Sequence, residues 1–272
     1  MGDSDLRPSG LERDGHVLLL HGSEPERVSS LVTWISRGLN RGDKVIYADA
    51  PRPAGGSLLD SSDRQGTEFA AALAEGRLAA LPLVRFYPQG DQEAIVDQAL
   101  AEGFRSVRLA AEASAAFDTQ SMSDHMDIEQ LIDRLCRTRP VSALCEYATS
   151  ATEGTVLREL VAGHRYELRS AAFHLATGPG GLVLRGEIDR ANADVLATVL
   201  DVAVADGKGV VRLDLAALEF MDVAACRQLV YASQDFRQAG GHVVLATPQP
   251  TVAWTLRLLA VDQFAGIDLV GG

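Results

Sequence analysis

Short apolar runs alternate with helical periodicity in the first 160 residues. Residues 16–21 (HVLLLH) form a run typical of a buried strand. Apolar side chains then recur at helical spacing between residues 28 and 39, and a second strand-like run occupies residues 44–48. Strand, helix and strand joined by short loops predict a parallel βαβ unit.

The same alternation continues to residue 162. After a Pro-, Gly- and Ser-rich segment at 51–66, which predicts a loop, the pattern predicts helices over 67–75, 91–102, 123–137 and 152–162, and strands over 77–84, 106–110 and 141–147. Five strands with intervening helices predict an α/β domain with a largely parallel sheet.

A polar segment at 163–170 interrupts this pattern. Beyond it, residues 173–177 and 182–186 predict a hairpin around the turn Gly178–Gly181. The elements predicted next are helices over 191–205, 225–239 and 250–259, and strands over 210–214, 242–246 and 267–270. We therefore expect two domains, at 14–170 and 171–272.

The amino-acid composition limits the classes of molecule that this protein is expected to bind. The 272 residues contain 25 Lys and Arg against 37 Asp and Glu, a net charge of −12. This balance argues against nucleic acid or an anionic membrane as the main partner. Three cysteines without metal or redox spacing, a polar N-terminus and the lack of a long apolar run predict a cytoplasmic protein with reduced thiols.

Three segments of the C-terminal part resemble the STAS domain of bacterial anti-sigma factor antagonists. They are Leu182–Asp189 (LVLRGEID), Leu213–Asp222 (LDLAALEFMD) and Gly240–Ala246 (GGHVVLA). The resemblance implies a small α/β domain and, as partner, a Ser/Thr kinase-like anti-sigma factor or another STAS protein. The resemblance is also compatible with a homodimer.

One position departs from that family. A Ser or Thr that receives phosphate follows the motif aspartate in the family, whereas Val223 follows Asp222 here and no Ser or Thr occurs between Thr198 and Ser233. Phosphorylation of this loop is therefore chemically unavailable. We expect Asp222, Val223, Ala224 and Arg227 to contact the partner; an Asp before a helix is usually its N-cap, a role that Asp222 can combine with partner contact.

The N-terminal part resembles the MEDS sensory domain. The resemblance rests on Gly15-His16, on Ile35–Tyr47 (ISRGLNRGDKVIY), and on the shorter segments Glu75–Leu78, Gly103–Leu109 with Glu112, and Ala143–Tyr147. It implies a RecA-like or Rossmann-like sensor domain without nucleotide chemistry, for which small hydrocarbon-type ligands have been suggested.

Four residues at strand ends are candidate ligand contacts: His16, Glu112, Cys145 and Tyr147. Ligands of open α/β sheets lie at the carboxyl ends of strands, which favours Glu112 and Tyr147 over His16. Structural roles compete with this interpretation: His16 as a packed histidine rather than a metal ligand, Glu112 as a hydrogen-bonding anchor and Cys145 as an inert thiol. The sequence assigns no metal, cofactor or catalytic residue.

The hypothesis that unites these observations is a non-enzymatic signalling regulator with an N-terminal sensor and a STAS domain. One alternative is a structural STAS scaffold in a larger signalling complex. Another is a diverged NTPase that uses Glu112, but the turn after the first strand, Gly22–Arg27 (GSEPER), carries no phosphate-binding motif.

Overall fold

The described strands form one continuous sheet. The computed structural model describes residues 14–50, 59, 64–87, 91–152, 154–165, 167–206 and 209–271. The strands are β1 (His16–His21), β2 (Lys44–Asp49), β3 (Leu78–Pro82), β4 (Val107–Ala111), β5 (Val141–Ala148), β6 (Leu168–Arg169), β7 (Phe173–Gly178), β8 (Gly181–Ile188), β9 (Val210–Met221), β10 (His242–Ala246) and β11 (Ile267–Val270). Their order in the sheet is β11-β10-β9-β8-β7-β6-β1-β5-β4-β2-β3. β7 runs antiparallel to both neighbours and every other described pair is parallel, so the predicted mostly parallel α/β fold is confirmed.

Helices cover both faces of the sheet. They are α1 (Glu24–Arg41), α2 (Arg64–Ala74), α3 (Leu83–Phe86), α4 (Asp91–Ala101), α5 (Met122–Thr138), α6 (Thr155–Gly163), α7 (Ala193–Asp206), α8 (Val223–Ala232), α9 (Gln234–Gln238) and α10 (Pro250–Leu258). Because strand side chains alternate between faces, the odd positions 17 and 19 of β1 pack with α1 and α2, and the even positions 18 and 20 pack with α4, α5 and α6.

The segment expected to separate two domains contributes a strand instead. β6 pairs in parallel with β1, where Leu168 lies opposite Leu18, and antiparallel with β7, where Leu168 lies opposite Leu175. A strand of two residues has no periodicity that a sequence pattern can detect. The predicted boundary at 170/171 therefore falls within a shared sheet, and one apolar core extends through both halves.

Helices also join the two halves. α6 packs against α7, and the Arg158 guanidinium lies 2.6 Å from the Asp201 carboxylate across this contact. Leu157 and Leu160 of α6 belong to the same buried apolar cluster as Leu196 and Leu200 of α7. A shift of α6 would therefore displace the residues of α7 that pack against it.

Three predicted boundaries in the fold are wrong. The strand predicted over 77–84 ends at Pro82, and α3 follows it. β9 continues to Met221, well beyond the predicted end at Asp214. The helix predicted over 225–239 divides into α8 and α9 at Ser233, whose buried hydroxyl donates to the carbonyl of Leu229 at 2.7 Å. The loop predicted over 51–66 lies largely outside the described residues.

Gly186 is required by a close approach between β8 and the chain entering β7. Its φ is +83°, and a Cβ there would lie 2.2 Å from the carbonyl oxygen of Ala172. We expect Gly186→Ala to lower the free energy of unfolding by at least about 2 kcal/mol, since strain and a backbone clash add. Urea denaturation measures this change.

Gly240 is the matched control for that substitution. Its φ is +89°, but a Cβ there would meet nothing within 4 Å. Gly240→Ala should therefore cost only the conformational strain, about 1 kcal/mol. If both variants lost the same free energy of unfolding, a clash with Ala172 would not be what destabilises Gly186→Ala.

Candidate functional site

A cluster of buried polar side chains lies between the sheet and α5. We call it the histidine cluster; its members are His16, His125, Glu129, Cys145, Tyr147 and His164. Leu18 pairs with Cys145 in the register of β1 and β5, so His16 and Cys145 project from the same face. On α5, which Ser121 caps by accepting from the Asp124 amide, His125 and Glu129 are four residues apart and share a face.

The Glu129 carboxylate is the centre of the cluster. Its Oε2 lies 3.1 Å from His16 Nε2 and 3.2 Å from His164 Nε2. The Cys145 Sγ lies 3.3 Å from the same His16 nitrogen. Four side chains from β1, α5, β5 and the end of α6 thus converge on one buried point.

The other oxygen of Glu129 is held by a separate hydrogen-bond chain. Tyr147 donates its hydroxyl to Glu129 Oε1 at 2.5 Å, and His125 Nε2 lies 2.5 Å from the same hydroxyl. Burial, followed by the charge of Glu129, raises the pKa of Tyr147 well above its usual value. Tyr147 therefore remains a phenol, and it fixes the carboxylate so that Oε2 faces the two imidazoles.

His164 is neutral and has a defined tautomer. Its Nδ1 lies 2.8 Å from the Leu160 carbonyl, which only accepts, so Nδ1 carries the proton. Burial and the neighbouring His16 lower the pKa of His164 to about 3. The lone pair of Nε2 consequently points at a carboxylate oxygen.

A second buried network lies on the opposite face of the sheet, around Arg27. Its guanidinium makes two hydrogen bonds with Glu24, at 2.8 and 2.9 Å, and donates to Glu146 at 2.9 Å and to the Tyr47 hydroxyl at 3.0 Å. The Glu112 carboxylate lies 3.4 Å from Nη1 of Arg27, the nitrogen that also donates to Glu146 and Tyr47. Burial raises the pKa of Glu146 to about 7, and the charge of Arg27 opposes that rise.

The four predicted ligand contacts divide between these two networks. His16, Cys145 and Tyr147 meet in the histidine cluster, whereas Glu112 lies beside Arg27. Sequence reasoning did not single out Glu129, His125 or His164. The available signal was Glu129 itself, a charged residue in line with His125, Ile132 and Cys136 on the buried stripe of α5.

A groove opens next to the histidine cluster. Its volume is about 430 Å³, and its lining is mainly apolar, formed by Ala50, Leu83, Val84, Tyr87, Ala115, Ala116, Asp118, Thr119 and Gln120. The Tyr87 ring also stacks on His125, with 5.5 Å between the ring centroids. One aromatic ring therefore connects an open groove to the buried cluster.

The C-terminal part presents an exposed apolar surface beside the start of α8. Asp222 caps this helix by accepting from the Ala225 amide at 2.8 Å, and it also accepts from the Arg190 amide at 3.0 Å. The capping role expected for Asp222 is confirmed. Val223, the first residue of the helix, is 55% exposed, and Arg227 lies over the ring of Tyr231.

An apolar groove adjoins this helix start. Its volume is about 450 Å³, and its lining residues are Phe220, Met221, Pro250, Thr251, Trp254 and Thr255. Trp254 is 64% exposed, although large aromatic side chains are usually buried. Exposed apolar surface of this kind is typical of a protein-interaction site.

Comparison with protein families defines the class of protein to which this fold and these sites belong. A model of the MEDS family, described as the methanogen/methylotroph DcmR sensory domain, matches residues 15–165. A STAS domain model matches residues 176–269. The first match takes more than half of the 272 residues. Both families are regulatory. The chain belongs to the MEDS family and carries a C-terminal STAS domain, which confirms both resemblances.

Solved structures that match part of the chain include anti-sigma factor antagonists. Unphosphorylated SpoIIAA is 19% identical (TM-score 0.30) and covers 36% of this chain and 88% of its own. An anti-sigma factor antagonist from Mycobacterium paratuberculosis is 21% identical (TM-score 0.30) and covers 36% and 84%. The flagellar accessory protein FlaH from Methanocaldococcus jannaschii is 12% identical (TM-score 0.41) and covers 64% and 77%. No curated protein matches the chain.

Among the described residues, no helix is both long and apolar enough to cross a membrane.

Proposed function

We propose that this protein is a cytoplasmic, non-enzymatic signalling regulator whose STAS domain (171–272) binds a regulatory protein under the control of its MEDS domain (14–170). The observation that carries the proposal is the exposed apolar surface at the start of α8, with Val223 55% exposed beside the groove that contains Trp254. The partner is a kinase-type anti-sigma factor or another STAS protein, and Asp222, Val223, Ala224 and Arg227 form its contact surface.

The coupling between the two domains is supported by their shared sheet and core. β6 lies between β1 of the sensor and β7, and α6 packs against α7. A ligand in the groove beside Tyr87 would lie close to His125 and, through it, to the cluster that contains His164 at the end of α6. A ligand regulates the partner surface only if it prefers one arrangement of these elements.

The non-enzymatic assignment is supported by the turn after β1. Glu24 and Glu26 occupy the first turn of α1, where a nucleotide phosphate would need free amides and positive potential. The one buried cation near this turn, Arg27, is already engaged by Glu24 and Glu146 among the described residues. Both features oppose the NTPase alternative that would use Glu112.

A serine placed at position 223 tests the alignment of the STAS loop with its partner. Incubated with a kinase-type anti-sigma factor and ATP, the native chain should receive no phosphate within residues 215–230, which contain no hydroxyl-bearing side chain. Val223→Ser restores a hydroxyl at the exposed first residue of α8 and should be phosphorylated there. Peptide mass spectrometry distinguishes the two results.

Two outcomes would contradict the proposal. A phosphate found within residues 215–230 of the native chain would mean that this loop is still a phosphorylation site. A Val223→Ser variant that stays unmodified by a kinase that binds it would mean that position 223 does not face the kinase active site.

A further inference from the structure

The chemistry of the histidine cluster is incomplete with protein atoms alone. His164 Nε2 is an acceptor, because Nδ1 holds the proton, and it faces the acceptor-only Glu129 Oε2 at 3.2 Å. Both atoms are buried, and His164 Nε2 forms no hydrogen bond with a described residue. Two lone pairs facing each other in a buried site repel, and a cation between them removes the repulsion.

The donor atoms that surround this point match a tetrahedral metal site. His16, Glu129, Cys145 and His164 each offer one ligand atom, and all four atoms lie within 4.8 Å of one another. Zinc bonds of about 2.0–2.3 Å in tetrahedral geometry place neighbouring ligand atoms roughly 3.3–3.8 Å apart. The distances of 3.1, 3.2 and 3.3 Å among these atoms are close to that spacing.

We propose that His16, Glu129, Cys145 and His164 bind one Zn²⁺ ion. Two imidazole nitrogens, one thiolate and one carboxylate oxygen form a donor set that zinc prefers. The charges also balance, because the thiolate and the carboxylate neutralise the divalent ion and a neutral site is tolerated in a buried position. Binding releases the thiol proton of Cys145 to solvent, and no electron transfer is involved.

The surrounding residues already have the arrangement of outer partners in zinc sites. The Leu160 carbonyl fixes the tautomer of His164, and Tyr147 holds Glu129 through Oε1 and leaves Oε2 for the metal. With all four positions supplied by protein, the site is closed and has no position for a reacting water. It is therefore a structural or sensing site, and it connects β1, α5 and β5 to the end of α6.

Zinc titration of the full chain tests this proposal. The titration needs no partner protein. We expect the purified protein, stripped with chelator and then supplied with ZnCl₂, to retain one zinc per chain after desalting, measured by elemental mass spectrometry. The bound metal should raise the melting temperature by mass action. Retention of much less than one zinc per chain would overturn the proposal.

Two ligand variants and one matched cysteine control locate the ion. Cys145→Ser and His164→Gln should weaken zinc binding by more than the 10- to 100-fold that loss of an outer partner costs. Cys226→Ser, which changes another buried free cysteine far from the cluster in sequence, should keep the native affinity. Unchanged affinity in both ligand variants would place the metal elsewhere and contradict the assignment.

Cobalt spectroscopy of the native chain keeps the test valid even if the variants fail to fold. Co²⁺ in this site should show a tetrahedral visible spectrum with a thiolate-to-cobalt charge-transfer band. An octahedral spectrum without that band would show that the cluster does not bind the ion through Cys145. The partner experiments on Val223 are separate, so zinc binding and the proposed signalling function can fail independently.

Discussion

Replacing Arg27 with methionine should lower the free energy of unfolding by about 2–3 kcal/mol at neutral pH, because its buried hydrogen bonds are lost and Glu146, whose pKa is about 7 even beside Arg27, must take up a proton to stay buried. Arg27 is 1% exposed, and Glu146, 2.9 Å away, is fully buried. Methionine fills a similar volume, so the lost stability reflects the missing guanidinium group more than a change in packing. Chemical denaturation followed by circular dichroism measures it.

A second substitution and a surface control separate charge from packing in that experiment. Adding Glu146→Gln to Arg27→Met should restore at least half of the lost stability, since the remaining acidic partners, Glu24 and Glu112, both keep contact with water. Arg158→Met removes a solvent-exposed ion pair with Asp201 and should cost at most about 1 kcal/mol. If the double variant is no more stable than Arg27→Met alone, the buried carboxyl group of Glu146 is not the cause of the lost stability.

The substitution Val223→Glu should weaken partner binding strongly without harming the fold. Val223 is the first residue of α8, where a negative charge interacts favourably with the helix dipole. The same charge placed against an apolar contact surface must lose its water. We expect Val223→Glu to weaken the partner complex by at least about 30-fold, which corresponds to about 2 kcal/mol. Titration calorimetry with the purified partner measures this change.

Val210 offers a closely matched control for that variant. It is 57% exposed, against 55% for Val223, and lies at the opposite end of β9 from the helix start. Val210→Glu should leave the affinity for the partner within about twofold of the native value, as expected for a charge outside the interface. Similar losses in both variants would indicate a general effect of added negative charge, and our assignment of the surface would be wrong.

Most strands and helices of the sensor were predictable because each has a strong local signal. β1 is an apolar run between two histidines, β5 is mostly apolar, and α5 begins at a Ser121 cap and keeps its apolar stripe to Leu135. The alternation of strand side chains also places Cys145 and Tyr147 on one face of β5. Local patterns of this kind survive in the fold because tertiary packing reinforces them.

The histidine cluster as a whole was beyond sequence reasoning. His16 meets Cys145 only through the register of two strands more than 120 residues apart, which no local pattern encodes. His164 lies in a polar segment that resembles a linker, and β6 follows it with only two paired residues. The length of β9 was missed for a related reason, since its last residues alternate irregularly between buried and exposed positions.

Titration calorimetry of the intact native chain with a kinase-type anti-sigma factor, with and without ATP, tests the proposed function most directly. We expect binding at micromolar concentration or tighter and the same affinity in both conditions, because position 223 carries no hydroxyl. Absence of binding at micromolar concentration both to this factor and to another STAS protein, or release of the factor by ATP with phosphate on the STAS loop, would contradict the proposed function.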